Sequence, residues 1–452
     1  MSRSTTAQVS LPIVESGPKA ASYNASQFDP TGLDLHRTIV LGAGYRWRIG
    51  IASVPVTDGL WLANPLTDQR VFLPVEADAV RLTDIGLLTR LEDAGFVARF
   101  DRQHDRDATL RALRHHQNQA SIVNYTVAPS LRCNFSCEYC FERLSPIHLT
   151  ERDADFLADH MAARAEELGL PLHISWYGGE PLLALSTIER VTARLSNSRV
   201  HAISEMLSNG FLAASAKVAD RVRAVGIQHV QVPLDGPRAL HEETRAPAPG
   251  VASYDRVVDG ILNLHRRGIE VSVRINVKGE AESVEPLLEC SRFREFANSS
   301  IRIYFATIFA SGGYDRRQDL KALKHRFIDA GFNYEGMAEK ALTVATCSAL
   351  RDSDIIVGPE LELYECYTDF GHRERVVGNL REGLPARTIY PAIQPPEPCF
   401  DCAAFYTCQG SGCPYDVRQG WLVGDPRHCR DIKAKLEAQL LRACETNPER
   451  PG

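Results

Sequence analysis

Between residues 120 and 310 short β-rich apolar runs alternate with longer stretches of helical periodicity. The pattern predicts strands at Ile122–Ala128, His173–Tyr177, Ile203–Leu207, His229–Leu234, Val271–Val277 and Ile301–Ala306. It predicts helices at Asp153–Leu168, Ser186–Leu195, Ala214–Val225 and Tyr254–Arg267. Such alternation implies an α/β fold with a parallel sheet and right-handed crossovers. In sheets of this kind the chemistry gathers at the carboxyl ends of the strands. Those ends, and the turns after them, are therefore where candidate site residues are sought.

The N-terminal quarter follows a different pattern. Residues 1–35 read as polar and irregular, Leu60–Leu73 as a hairpin around Asn64-Pro65-Leu66-Thr67-Asp68, and Ala77–Ala94 as helical. A helix that ends at Gly95 and runs into a strand at Phe96-Val97 is what a small winged-helix unit shows, so residues 36–117 are taken as a winged-helix-like domain. Arg106–His116 reads as a charged linker helix. The expected order is then an irregular segment 1–35, the small domain 36–117, the sheet domain 118–330, a cysteine-rich domain 331–435 and a tail 436–452.

Composition narrows the function classes. The 452 residues are enough for more than one core, and the formal charge of −6 lacks the basic footprint of a nucleic-acid binder. The first residues lack the apolar core of a signal peptide, and no apolar run reaches the roughly 18 residues of a membrane helix. A cytoplasmic protein without nucleic-acid or membrane partners is expected. Of the twelve cysteines, eight lie after position 346, and without an export signal such clustering points to metal or redox work.

Directly after the first strand, Cys133, Cys137 and Cys140 form a C-x3-C-x2-C loop with Tyr139 before the last cysteine. Three thiolates at this spacing can hold one face of an iron–sulfur cube and leave the fourth iron open to a small molecule. Zinc is the alternative, although a structural zinc site normally closes with four ligands. The triplet with its aromatic residue resembles the radical S-adenosylmethionine enzymes. The resemblance implies a partial (β/α)6 barrel, a [4Fe–4S] cluster on Cys133, Cys137 and Cys140, and S-adenosylmethionine bound at the open iron. It also implies an external electron donor of flavodoxin or ferredoxin type, and a 5′-deoxyadenosyl radical that takes hydrogen from a substrate.

Further motifs follow in the order this family has them. Gly178-Gly179-Glu180-Pro181, after the second strand, is similar to the family's turn for the methionine amino group, and Ser208-Asn209-Gly210 to the turn after its third strand. Gln231-Val232-Pro233-Leu234-Asp235-Gly236-Pro237, with His241 and Arg245 behind it, resembles the Q-I-S-L-D-G-P…H…R run of peptide-maturing members. It departs from that run at Pro233, where a cofactor-holding serine is usual, and proline is expected to end or bulge the strand there. On the fifth strand, alternation places Arg274 and Asn276 on one face. That face either meets the cofactor from inside the barrel or lies outward under a helix. Tyr139, Gly178, Gly179, Glu180, Pro181, Ser208, Asn209, Asp235, Arg274 and Asn276 thus make up the expected cofactor-binding set.

The C-terminal cysteines Cys347, Cys366, Cys399, Cys402, Cys408, Cys413 and Cys429 resemble the SPASM domain, which usually holds two auxiliary [4Fe–4S] clusters. The resemblance assigns Cys399, Cys402, Cys408 and Cys429 to the outer cluster and Cys347, Cys366 and Cys413 to the inner one. The inner set lacks a fourth thiolate, so an open iron, a non-cysteine ligand and a recruited thiol all stay open. Taken together, the resemblance implies a maturase of ribosomally made peptides (RiPPs). Its N-terminal domain would dock the leader of a precursor peptide, and the chemistry would be an oxidative C–C or C–S cross-link, with the auxiliary clusters accepting the surplus electron. The alternatives are sulfatase-type formylglycine formation, peptide epimerisation, small-molecule dehydrogenation, and a non-enzymatic iron–sulfur protein.

Overall fold

The computed structural model describes residues 40–42, 44–56, 59–66, 69–73, 81–82, 84–99, 101–245, 247, 251–278, 281–307, 317–334, 347–385, 395, 397–408 and the positions 429, 433 and 436. They fall in two compact units, one spanning Met1–Gln119, Ala338–Cys347 and Ile393–Gly452, the other Ala120–Met337 and Ser348–Ala392. Segment 1–35, Cys413 and Cys444 lie outside the described residues.

The second unit is built on a ten-stranded sheet. Its strands are β1 (Val123–Val127), β2 (Leu172–Trp176), β3 (Ala202–Leu207), β4 (His229–Leu234), β5 (Glu270–Val277), β6 (Arg302–Thr307), β7 (Asn333–Tyr334), β8 (Asp354–Val357), β9 (Glu362–Tyr364) and β10 (Gly378–Asn379). The order across the sheet is β7-β6-β5-β4-β3-β2-β1-β8-β9-β10. Every pair from β7 to β8 is parallel, and β9 and β10 add on antiparallel. The first six strands lie within a residue or two of their expected places. The helices between them are α1 (Glu151–Leu168), α2 (Leu185–Leu195), α3 (Ala216–Ala224), α4 (Arg238–Thr244), α5 (Tyr254–Arg266) and α6 (Arg317–Asp329).

Local sequence accounts for these elements. The Thr150 hydroxyl accepts from the Asp153 amide at 3.2 Å to start α1, and Gly169, at φ +64°, ends it. Between them Ala154, Leu157, Ala158, Met161 and Ala165 recur at helical spacing and are buried. Strand residues alternate in the same sense: Val123, Tyr125 and Val127 are fully buried in one core with Val230, Val232, Val273 and Ile275, beneath the helices. The opposite face carries polar, half-buried positions, among them Thr126, Ser175, Glu205, Gln231 and Arg274. A parallel sheet is ordinarily apolar on both faces. The polar face is therefore the first sign of where this unit does its work.

Two expectations need correction. The segment 331–435 is not one domain: Asp354–Val357 continues the parallel sheet beside β1, with Asp354 opposite Asn124 and Val357 opposite Val127, so residues 348–392 belong to the barrel unit. Pro233 does not end its strand. The ladder between β3 and β4 stops at Leu207 opposite Gln231, whereas pairing with β5 runs on through Pro233 and Leu234, so the missing amide falls where β3 has already turned away.

The first unit holds an antiparallel sheet of Ala52–Val56, Gly59–Asn64 and Gln69–Leu73, which includes the expected hairpin, with Asn64 opposite Gln69. The helix expected over Ala77–Ala94 begins only at Ile85, because the Asp84 carboxylate caps it through the Leu87 amide at 2.6 Å. Arg81–Leu82 is instead a strand, parallel to Val40–Leu41. Gly95, at φ +78°, turns the chain into Val97–Ala98, which pairs with Arg46–Trp47, and a helix then runs over Arg102–Asn118.

Candidate active site

The cysteine triplet sits on a loop closed at its base. Beyond β1, the Leu131 amide donates to the Ile147 carbonyl and the Ser145 amide to the Leu131 carbonyl, each at 3.0 Å. Within it the Cys140 amide donates to the Cys137 carbonyl at 3.2 Å, and the Phe135 amide approaches Cys133 Sγ at 3.4 Å. None of the three cysteines is in a disulfide; Cys133 and Cys137 are half-buried and Cys140 is exposed. Burial pushes the Cys133 thiol up to about 12. Buried thiols give up their protons only to something that replaces the charge, which is what a metal does. Burial pushes the Cys137 thiol up as well, and the buried Arg245 guanidinium partly offsets that cost. Three unpaired thiols on one loop, one facing an amide and one facing a cation, fit a sulfur-ligated metal cluster.

Tyr139 fastens this loop to the sheet. Its hydroxyl donates to Asp235 Oδ2 at 2.6 Å and accepts from Arg245 Nη1 at 2.8 Å and from Asn276 Nδ2 at 3.1 Å. Asp235, fully buried at the end of β4, accepts in addition from Asn276 Nδ2 at 2.9 Å and from the Thr244 hydroxyl at 2.7 Å. The Asp235 amide donates to His241 Nδ1 at 3.3 Å. Burial opposes the charge of Arg245, but Cys137, Tyr139 and Asp235 more than offset it and hold the guanidinium more basic than usual. The same burial pushes the Tyr139 phenol up, so it stays protonated and able to donate. Asp235 and Asn276, expected to touch a cofactor, spend the groups named here on positioning the cluster loop.

The Gly178–Pro181 turn packs against that loop. A Cβ on Gly179 would stand 2.2 Å from the Arg132 carbonyl oxygen, and one on Gly178 would stand 2.4 Å from Ala128 Cβ. Only glycine permits this approach. Glu180, fully buried, accepts on Oε1 from the Leu182 amide at 3.0 Å and the Ser208 hydroxyl at 2.8 Å, and on Oε2 from the Asn209 amide at 2.7 Å. Asn209 Nδ2 then donates to Asn134 Oδ1 at 2.8 Å, inside the cysteine loop. Pro181 opens the 3₁₀ turn Pro181–Ala184. The turn after β2, the turn after β3 and the cysteine loop are therefore one hydrogen-bonded assembly.

Arg274 lies on the same strand face as Asn276, and Val273 and Ile275 occupy the helix-covered core, so both face away from the helices. In register it stands between Pro233 of β4 and Tyr304 of β6. Its charge lowers the cost of ionising the Tyr177 and Tyr304 phenols, although burial dominates both and pushes them up.

A segment distant in sequence closes over the loop. The Arg143 amide donates to the Phe370 carbonyl at 3.1 Å, and His372 Nε2 meets the Phe141 carbonyl oxygen at 3.0 Å. The Tyr367 ring, next to Cys366, contacts those of Phe141 at 6.3 Å and Tyr177 at 5.4 Å between centroids. Cys366 is buried, with Thr368 Oγ1 at 3.0 Å from its sulfur. In the other unit, burial pushes the Cys399 thiol up to about 11, and Cys402 and Cys429 stand close enough to add to the shift. Cys408 ends the short helix Phe405–Cys408, and Cys347 is half-buried.

Sequence reasoning missed Thr244, Tyr177 and Glu142. The Glu142 carboxylate accepts from the Gly179 amide, and burial, opposed by that bond and reinforced by Glu180, pushes it up to about 7. Its nearness in sequence to Cys140 was the one available signal.

Residues 127–290 match the Radical SAM superfamily, and the chain carries a radical S-adenosylmethionine domain there. A pre-heme d1 synthase from Dinoroseobacter shibae is 30% identical over 164 residues, 35% of this chain and 37% of that protein. An Fe-coproporphyrin III synthase from Methanosarcina barkeri is 26% identical over 150 residues, 32% of this chain and 35% of that one. The chain thus spans little more than a third of the length of these relatives. Among solved structures, native anSMEcpe with bound AdoMet is similar with a TM-score of 0.56 at 14% identity, over 72% of this chain and all of that one. Streptococcus suis SuiB bound to precursor peptide SuiA gives 0.50 at 15% identity, over 83% of this chain and 97% of that one. At such identities the likeness is one of fold.

Proposed function

On the premise of a radical S-adenosylmethionine domain at residues 127–290, we propose that the chain abstracts hydrogen from a ribosomally made precursor peptide and leaves an oxidative C–C or C–S cross-link. Bound at the triplet, a [4Fe–4S] cluster and S-adenosylmethionine would supply the 5′-deoxyadenosyl radical. Cys133, Cys137 and Cys140 hold the cluster, and Tyr139, Asp235, Asn276 and Arg245 fix the loop that carries them. Gly178, Gly179, Pro181, Ser208 and Asn209 shape the rim at which the cofactor binds, with Glu180 tying the two turns together. By the resemblance to a SPASM region, Cys399, Cys402, Cys408 and Cys429 would hold one auxiliary cluster, and Cys347, Cys366 and Cys413 are the ligands it assigns to a second. Residues 36–117, as a winged-helix-like domain, dock the leader, and a flavodoxin- or ferredoxin-type protein donates the electron. The observation that supports the peptide reading is the run of cysteines Cys399, Cys402, Cys408 and Cys429 behind the triplet and its glycine turn.

A second reading, chemistry on a tetrapyrrole, is favoured by the names of the sequence relatives. One experiment separates the two. The chain is co-expressed anaerobically with the peptide encoded beside its gene, and the peptide's intact mass is measured. Loss of two hydrogens per site supports the cross-link. An unchanged mass and no deuterium uptake from solvent, together with loss of carbon dioxide from coproporphyrin III in vitro, would establish the tetrapyrrole reading instead.

A further inference from the structure

Arg274 is a charged group on the polar face of the sheet for which the described residues provide no anion. Its Nε is buried and has no hydrogen-bond partner, and no described carboxylate forms an ion pair with it. The acids on that face are engaged elsewhere. Glu205 lies 3.7 Å from His173 Nε2 and 3.4 Å from His229 Nδ1; burial pushes its carboxyl up, but the two histidines hold it well below the ordinary carboxylate range. Asp235 accepts from Tyr139, Thr244 and Asn276. The in-register neighbours add little: Pro233 has no polar side-chain atom, and the Tyr304 hydroxyl donates to Gln231 Oε1 at 2.5 Å. By contrast Arg302, at the amino end of the neighbouring strand, pairs with Glu270 at 3.1 Å.

A buried donor without a partner is costly to the fold. A planar guanidinium on a rigid strand is the geometry that reads a carboxylate through two parallel hydrogen bonds. We propose that Arg274 binds a carboxylate of the substrate at the polar face of the sheet. This rests on the radical-enzyme reading of residues 127–290 and narrows its substrate to a carboxylic acid. The acid is either an Asp, Glu or C-terminal carboxylate of a peptide or a propionate of a tetrapyrrole. The carboxylate of S-adenosylmethionine is the competing source.

The test uses the full-length chain with its iron–sulfur clusters reconstituted, as parent, Arg274→Gln and Arg274→Lys. Each is incubated with S-adenosylmethionine and dithionite, and 5′-deoxyadenosine is measured; a parent that forms none defeats the radical reading itself, independently of Arg274. S-adenosylmethionine affinity is then measured by equilibrium dialysis and is expected to change less than twofold. Two acid probes follow: coproporphyrin III against its tetramethyl ester, by absorbance, and the co-expressed peptide against the same peptide with Asp and Glu replaced by Asn and Gln, by anisotropy.

One acid probe, and not its neutral counterpart, should bind Arg274→Gln at least tenfold more weakly than the parent, with partial recovery in Arg274→Lys. Which probe responds identifies the source. A tenfold loss of S-adenosylmethionine affinity that decarboxylated S-adenosylmethionine does not share would reassign Arg274 to the cofactor and overturn the proposal. Both acid probes binding within twofold of the parent, or a collapse of the fold by circular dichroism in both variants, would also overturn it.

Discussion

Asn276 and Arg274 sit two residues apart on one face of β5, in opposite surroundings. Asn276 is buried, and its amide serves both Tyr139 and Asp235, in a network that also takes in Arg245, Thr244 and His241. Arg274 has a buried nitrogen with no partner among the described residues. In the first arrangement the carboxylate and the guanidinium answer one another through Tyr139 and hold a loop still, even though Arg245 Nε and His241 Nε2 are themselves buried without a hydrogen-bond partner. The second is incomplete by one anion. A fold that balances its buried charges at the end of a strand, and leaves one without an anion a single turn of the pleat away, separates positioning from recognition along one strand.

The sharpest break of this contrast is at the loop that the network holds. Cys140→Ala should reduce 5′-deoxyadenosine formation from S-adenosylmethionine and dithionite to background, by chromatography; a yield equal to the parent's would remove the radical assignment. Asp235→Asn strikes the network itself, leaving the buried Arg245 without its facing carboxylate, and should cost about 3–5 kcal/mol in urea unfolding. Gly179→Ala drives a Cβ into the Arg132 carbonyl at a positive φ of 42°. It should cost about 1–3 kcal/mol and lower the iron bound per chain, measured by colorimetric assay.

His241 gives the network a pH signature. Burial first, and Arg245 second, hold it at about 3. Its unfolded value is about 6.5, so the unfolded chain takes up the proton first and stability falls as pH drops below about 6.5, levelling off near the folded value. The slope from this group approaches about 1.4 kcal/mol per pH unit. His241→Gln should remove that slope from urea midpoints measured between pH 6 and pH 4. The effect of opposite sign is expected on the open side: Arg274→Gln should leave stability unchanged or raise it by up to about 1 kcal/mol, because no described partner is lost and an unpaired buried donor is removed. A loss of stability would make Arg274 another structural group and erase the contrast.

The six βα units were legible because each strand carries its own apolar run and the helices repeat apolar residues at helical spacing, with caps that show in the sequence at Thr150 and Gly169. Strands β8, β9 and β10 were not. They are four, three and two residues long, and β8 is defined by pairing with β1, which lies more than two hundred positions earlier. In the site, spacing alone marked the cysteine triplet and the glycine turn. Alternation placed Arg274 and Asn276 together but not on a known side, and the apolar residues between them, packed under helices, decided it. The role of Glu180 was hidden, since its partners Ser208 and Asn209 come from a different strand end.

The closure of residues 366–375 over the cysteine loop also sets a timetable. The contact between His372 and the Phe141 carbonyl joins groups 231 positions apart. At about 5–20 residues per second of synthesis, the loop emerges roughly 10–50 s before the segment that covers it exists. During that interval the three thiols stand at the surface of a growing chain, so the assembly machinery for iron–sulfur groups meets an open door that translation later shuts.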